Sequence, residues 1–221
     1  KLLDYTDARQ PQAVSQWVVH KYMENPLIIA ERKFDMRQWV LVTDWNPLTV
    51  WFYDHCYVRF GVEKYTTSDN NTGNQFVHLV NNSICKKSES FGTVAKTENG
   101  YEVHEHMWSC DTFAAYLSDV AGKDTWKGKL QPRMKQIALW SLMCAQDIVE
   151  HRKNSWELYG YDFMVDDQLR PWLIEINSSP ACDYSTKVTE DYVQRALTDL
   201  LKVTIDLPAW EASRKKATAS T

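Results

Sequence analysis

Three residues of one stretch, Asp162, Glu175 and Asn177, carry oxygens that could gather a hard cation. Residues 161–180 read as a hairpin, because two apolar runs flank a polar break at Asp166-Asp167-Gln168, which is turn punctuation. Side chains alternate along a strand, so Leu173, Glu175 and Asn177 are expected on one face and Trp172, Ile174 and Ile176 on the other. A turn centred near Gln168-Leu169 sets Asp162 opposite Glu175, where cross-strand side chains approach within about 5 Å. Magnesium typically takes one or two carboxylates and completes its shell with water and substrate phosphates, so this donor set suits nucleotide-bound Mg2+ better than a caged Ca2+. The competing reading is an edge hairpin whose acids face solvent and whose Asn-Ser-Ser-Pro simply ends the strand.

Lys33, Asp35, Arg37 and Trp39 form a second constellation, sharing one face of a strand with Phe34 and Met36 on the other. On their letters alone the charges could be mere surface ion pairing, worth little. His104 and His106 have the spacing of a metal pair, but no Cys or carboxylate is spaced to complete a shell.

The elements that position these residues can be read in outline. Residues 1–14 are polar and without periodicity; Trp17, Val19 and Lys21 then alternate with Val18, His20 and Tyr22 as a strand would. Trp39-Val40-Leu41-Val42 and Thr49-Val50-Trp51-Phe52-Tyr53 read as adjacent strands around Asn46-Pro47. Residues 61–76 are turn-rich and expected to form a mobile loop, and residues 85–106 are polar and irregular. Phe113, Tyr116, Leu117 and Val120 predict a helix capped by Ser109 or Asp111. Ala138, Leu142, Ala145 and Val149 predict a longer one with Pro132 near its start, and Val193, Leu197, Leu200 and Leu201 a last one facing the core. Residues 212–221 are small, polar and basic, and expected to fray.

The 221 residues, 44% of them hydrophobic, suffice for one sizeable core or one and a half domains. A net charge of −4 supplies no global basic field, so nucleic acid is not an expected partner and an acidic partner must be held by a local basic patch. No apolar run approaches the roughly 18 residues of a membrane span, and no membrane association is expected. Five cysteines without a C-x-x-C pair argue against a disulfide framework and for a reducing, cytosolic setting.

The hairpin resembles the signature of the tubulin tyrosine ligase-like family, standing here as Tyr159-Gly160-Tyr161-Asp162-Phe163 and Trp172-Leu173-Ile174-Glu175-Ile176-Asn177-Ser178-Ser179-Pro180. Three further matches lie upstream in the family's order: residues 17–27, Lys33-Phe34-Asp35-Met36-Arg37-Gln38-Trp39, and His78-Leu79-Val80-Asn81-Asn82-Ser83-Ile84. Val80 stands where the family usually has Thr, and a valine supplies no hydroxyl. The resemblance covers roughly residues 15–205 and implies an α+β ATP-grasp fold, of which this chain holds the central and C-terminal layers. An N-terminal domain with phosphate-gripping lysines is expected ahead of Lys1, leaving 1–14 as an irregular leading segment, 15–205 as a truncated catalytic region and 206–221 as a tail.

The implied chemistry joins a carboxylate to an amine through an acyl phosphate, with ATP and Mg2+ as cofactors. His20, Lys21, Tyr22 and Met23 correspond to the hinge that meets adenine; Lys33, Asp35, His78, Asn81 and Ile174 are the other nucleotide contacts implied. Arg37 and Arg59 would steady the acyl phosphate and incoming groups, and Asp162, Glu175 and Asn177 would hold the metal. Residues 42–53 look most like the glycylase members, which implies free glycine added to glutamate side chains in tubulin C-terminal tails. A glutamylase of the same family and an inactive microtubule-binding relative are the alternatives. A monomer is expected, in the cytoplasm and on the cytoskeleton of a cilium or flagellar axoneme.

Overall fold

The computed structural model describes residues 20–67 and 73–219. Its centre is a five-stranded antiparallel sheet in the order β5-β2-β1-β6-β7. The strands are β1 (Phe34–Trp45), β2 (Leu48–Phe60), β5 (Met107–Ser109), β6 (Glu157–Val165) and β7 (Pro171–Asn177), and a separate hairpin pairs β3 (Ala95–Lys96) with β4 (Glu102–Val103).

Two-residue alternation in β1 divides the molecule. Phe34, Met36, Val40 and Val42 enter the main core, where α3 (Cys110–Ala121) and α4 (Gln131–Ala145) contribute Phe113, Leu117, Met134, Ala138 and Leu142. Asp35, Arg37 and Trp39 take the opposite face. Trp39 packs there with Tyr57 and Met107 under Tyr192, Val193 and Ala196 of α5 (Lys187–Leu201). Two of the longer helices, α3 and α5, start where polar side chains satisfy free amides. The Ser109 side chain accepts from the Thr112 amide, and Thr186 and Thr189 form a reciprocal capping box. The α+β content is as expected.

Several local expectations change. Residues 1–19, with Trp17, Val18 and Val19, lie outside the described residues; residues 20–25 form no strand, and Pro26 makes only an isolated bridge to Asp166. Within 61–76 the chain closes into a helical turn, α1 (Gln75–His78), whose amides are capped by Asn74, and α2 (Asn82–Cys85) follows. The supposedly irregular 85–106 region contains the β3-β4 hairpin. Val149 falls beyond α4, and Leu201 is exposed at 52% because it sits off the buried stripe of α5. The end does not fray where expected: a π-helical turn (Lys202–Asp206) leads into α6 (Leu207–Ala219), whose Ala- and Lys-rich composition favours helix.

His106 shows how a buried polar group is tuned. Arg32 Nη1 lies 2.9 Å from its Nδ1 and the Gly92 amide 2.9 Å from its Nε2. Both neighbours are donors, so an added ring proton would have no acceptor; burial, then the Arg32 charge, lower its pKa from 6.5 to about 4. The unfolded chain therefore binds the proton first as pH falls. Stability from this group is full above about 6.5 and is lost towards pH 4 at up to about 1.4 kcal/mol per pH unit. Urea midpoints followed across that window should fall more steeply for the native protein than for His106→Gln.

Candidate active site

On the sheet face opposite α3 and α4, the register brings four charges together: Arg37 pairs with Asp162, and Asp35 with Arg59. Arg37 donates from Nε to Asp162 Oδ1 at 2.5 Å and from Nη2 to Oδ2 at 3.2 Å. Arg59 donates from Nε and Nη2 to the two oxygens of Asp35 at 2.7 and 2.6 Å, and its Nη2 also lies 2.9 Å from Asp162 Oδ2. All four residues are buried, at 8% exposure or less. Charges of alternating sign with two forked contacts are an arrangement in which burial is tolerable. Burial alone would raise the pKa of Asp162, but the grip of Arg37 and Arg59 outweighs it and holds the carboxyl below its usual range. Asp35 has one forked arginine and faces Asp162, and burial pushes it up. Both guanidiniums are raised, because their carboxylate partners overcome the opposing effect of burial.

Asp162 faces Glu175 across the β6-β7 pair, as expected, and Asn177 faces Gly160. Phe163, however, pairs with Leu173, so Ile174 is an extra residue, a bulge. That corrects the expected face-sharing of Leu173 with Glu175: Leu173 follows Phe163 onto the main core while Glu175 stays with Asp162. Glu175 is exposed, and Asn177 donates from Nδ2 to Glu175 Oε1 and to the Gly160 carbonyl, both at 3.3 Å. The carboxylate of Glu175 and the amide oxygen of Asn177 are hard donors that suit Mg2+ in a shell completed by phosphate and water. Asp162 fits less simply, since both its oxygens accept from arginine. Among the described residues no three His, Cys, Asp or Glu side chains group as a metal site.

A cleft of about 570 Å3 opens between residues 20–25 and the β6-β7 hairpin. It is lined by His20, Lys21, Tyr22, Met23, Lys33 and Ile174, six of the residues singled out from the sequence. Met164, Trp172 and Leu173 give it an apolar wall; Trp172 and Leu173 belong to the hairpin motif, but no site role is read from them in sequence. Lys33 donates to the His78 carbonyl at 3.0 Å and its ammonium lies 4.8 Å above the Tyr22 ring; Tyr22 Oη is 2.8 Å from His78 Nδ1. Burial lowers the Lys33 pKa, with Asp35 opposing. Lys33, Asp35 and Arg37 thus run along one face from the cleft to the charge cluster. Asn81 stands apart from the cleft lining, at the N-cap of α2 with no side-chain cap bond, and Val80 is buried.

Asp166, read from the sequence only as turn punctuation, organises the far wall. Its Oδ1 accepts from the Gln168 and Arg170 amides at 3.0 and 2.9 Å, and its Oδ2 from Arg170 Nε and Trp172 Nε1 at 2.7 and 3.0 Å. Asp166→Ala leaves these donors unpaired and should cost about 2–4 kcal/mol in a urea titration; an unchanged midpoint would show the turn to be self-supporting.

Gly160 has a steric role. A Cβ there would sit 2.8 Å from Pro180 Cβ and 3.3 Å from Arg37 Cδ. Gly160→Ala must therefore displace the segment after β7 or the arginine, at about 1–3 kcal/mol of overpacking, and should weaken whatever Arg37 does more than it weakens folding. Equal losses in activity and stability would argue for a purely structural glycine.

The comparisons with known proteins agree with one another. The model of the tubulin-tyrosine ligase family matches residues 5–213. Tubulin glycylase 3C of Tetrahymena thermophila is 47% identical over 215 residues, 97% of this chain and 19% of that protein. Tubulin monoglycylase TTLL3 of Danio rerio is 46% identical over 192 residues, 87% of this chain and 24% of that protein. Tubulin glycylase 3D of Tetrahymena thermophila is 44% identical over 191 residues, 86% of this chain and 18% of that protein. The chain spans about a fifth of the length of the curated relatives it matches.

Proposed function

This chain belongs to the tubulin-tyrosine ligase family, and from that membership we propose that it is part of the ATP-grasp catalytic region of an enzyme that joins glycine to glutamate side chains in tubulin C-terminal tails. The observation that carries the reading is the continuous polar face: cleft, Lys33, the Asp35-Arg59-Asp162-Arg37 cluster, then Glu175 and Asn177. In the reaction, a glutamate γ-carboxylate takes the terminal phosphoryl group of ATP, giving an acyl phosphate and ADP; the amine of glycine then displaces phosphate. The amide formed and the ADP and phosphate released account for every atom.

Each residue has a matching task. The 20–25 segment and the apolar wall take the adenine, and Lys33 supplies a positive charge at the cleft floor. The forked bonds to carboxylates use Nε and Nη2 of Arg37 and Arg59; Nη1 of each is the group to neutralise phosphoryl oxygens as charge develops. Asp35 and Asp162 hold those forks in place. Glu175 and Asn177, with Asp162 behind them, would hold Mg2+, which screens phosphate charge when bound. His78 positions Lys33 and Tyr22, and Asn81 would act at the edge of the nucleotide site.

Glycine is favoured by the names of the relatives and by the charges already committed. A pocket for free glutamate needs a further cation, since a buried unpaired charge is costly, and both arginines of the cluster are bound to aspartates. Tubulin as partner places the protein on the cytoskeleton, and a cilium or axoneme is the proposed site of action. Full-length protein, tubulin, ATP and labelled glycine should release one ADP for each glycine incorporated. Release of AMP would show an acyl adenylate and overturn the acyl-phosphate route.

A further inference from the structure

Away from that site, Cys56 on β2 and Cys110 at the start of α3 lie across from each other. The β2-β5 ladder pairs Arg59 with Met107, Val58 with Trp108 and, as its last step, Tyr57 with Ser109; Cys110 follows as the first residue of α3, and its side chain is hydrogen-bonded to that of Cys56. Two thiols close enough to hydrogen-bond need only a small side-chain rotation to meet, given that a disulfide spans Cα atoms about 4.4–6.8 Å apart. Both cysteines are buried, at 1% and 4% exposure. A cavity of about 210 Å3 nevertheless reaches them, bounded by His55, Cys56, Ser109, Cys110, Lys187 and Tyr192.

We propose that Cys56 and Cys110 form a reversible disulfide, made by a small peroxide that enters this cavity and undone by a dithiol reductant. The cavity is several water molecules in volume, which admits hydrogen peroxide and excludes a bulky disulfide such as oxidised glutathione. Cys110 is the attacking sulfur. It opens a 12-residue helix, where the amide dipoles favour a thiolate, and the Cys56 thiol and amide donate towards it, lowering its pKa while that of Cys56 rises. The Cys110 thiolate displaces hydroxide from hydrogen peroxide, forming a sulfenic acid, and the hydroxide leaves as water after taking a proton. The Cys56 sulfur then displaces the sulfenic oxygen as a second water. Two thiols and one peroxide thus become one disulfide and two waters.

The test is peptide mapping of the whole protein after graded hydrogen peroxide, with alkylation of the remaining thiols under denaturing conditions. The expected product is about 2 Da lighter and contains one linked peptide pair joining Cys56 to Cys110; a dithiol should reverse it. Cys144→Ser with Cys182→Ser removes the two exposed cysteines without touching the pair and should give the same link, while Cys110→Ser should abolish it. Oxidised glutathione at equal concentration should give neither the link nor a glutathione adduct on Cys110. Separate alkylation of both residues after peroxide, a gain of about 32 Da on Cys110 without a link, or a glutathione adduct there would overturn the proposal. Because the readout is covalent mass, failure of the ligase reading leaves it unaffected.

Discussion

Glu175→Gln is expected to leave the protein folded and to stop ligation. Glu175 is exposed at the open end of β7 and accepts one long hydrogen bond, 3.3 Å from Asn177, which glutamine can also accept. The urea midpoint should therefore stay where it is. In the proposed role activity depends on the charge rather than the shape, since a carboxylate that helps hold Mg2+ would stabilise phosphoryl transfer by several kcal/mol. A loss of about 3–5 kcal/mol corresponds to at least a hundredfold in rate. Turnover of the variant at the native rate would remove Glu175 from the metal site.

Loss of both stability and activity is expected for Asp162→Asn. Here the charge is buried and holds two arginines. An amide offers one oxygen where the carboxylate offers two, and its NH2 would face a guanidinium. The cluster then contains two cations and one anion away from water, and breaking such a pair costs about 3–5 kcal/mol. Ligation should vanish as well, because the Arg37 fork loses its anchor and Arg59 keeps only its fork on Asp35. A variant as stable as the native protein would mean that the four charges are hydrated and mobile. The two outcomes together would separate the proposed roles of the two acids, Glu175 serving chemistry alone and Asp162 chemistry and fold together.

What the sequence made legible was local. The alternation of Phe34 to Trp39 assigned the two faces of β1 correctly, and the polar break at 166–168 set Asp162 opposite Glu175. Ser109 and Asp111 were both legible as cap candidates beside an apolar helical stripe, and Ser109 is the cap. The failures lie where spacing carries no signal. The Ile174 bulge is invisible because Leu173-Ile174 fits either face. The charge cluster depends on register between distant strands, Arg37 meeting Asp162 at a separation of 125 residues, so a row that reads as surface ion pairing is buried. Asp166 looked like ordinary turn chemistry because its four donors become apparent only once the turn closes. Residues 20–25 have strand-like letters, yet they line a cleft rather than join the sheet.

The measurement that bears most directly on the assignment as a glycine ligase is a competition. Full-length protein, tubulin and ATP are supplied with glycine and glutamate at equal concentration, and the tubulin tails are weighed. On the proposed reading, in which the arginines of the cluster serve the phosphoryl group, the larger acid is excluded by steric overlap and by its unpaired charge, and the tails should gain about 57 Da, the glycine residue, with few or no additions of about 129 Da, the glutamate residue. Tails that gain about 129 Da instead would make the protein a glutamate ligase, and tails that gain nothing while ATP is present would contradict its assignment as an active enzyme.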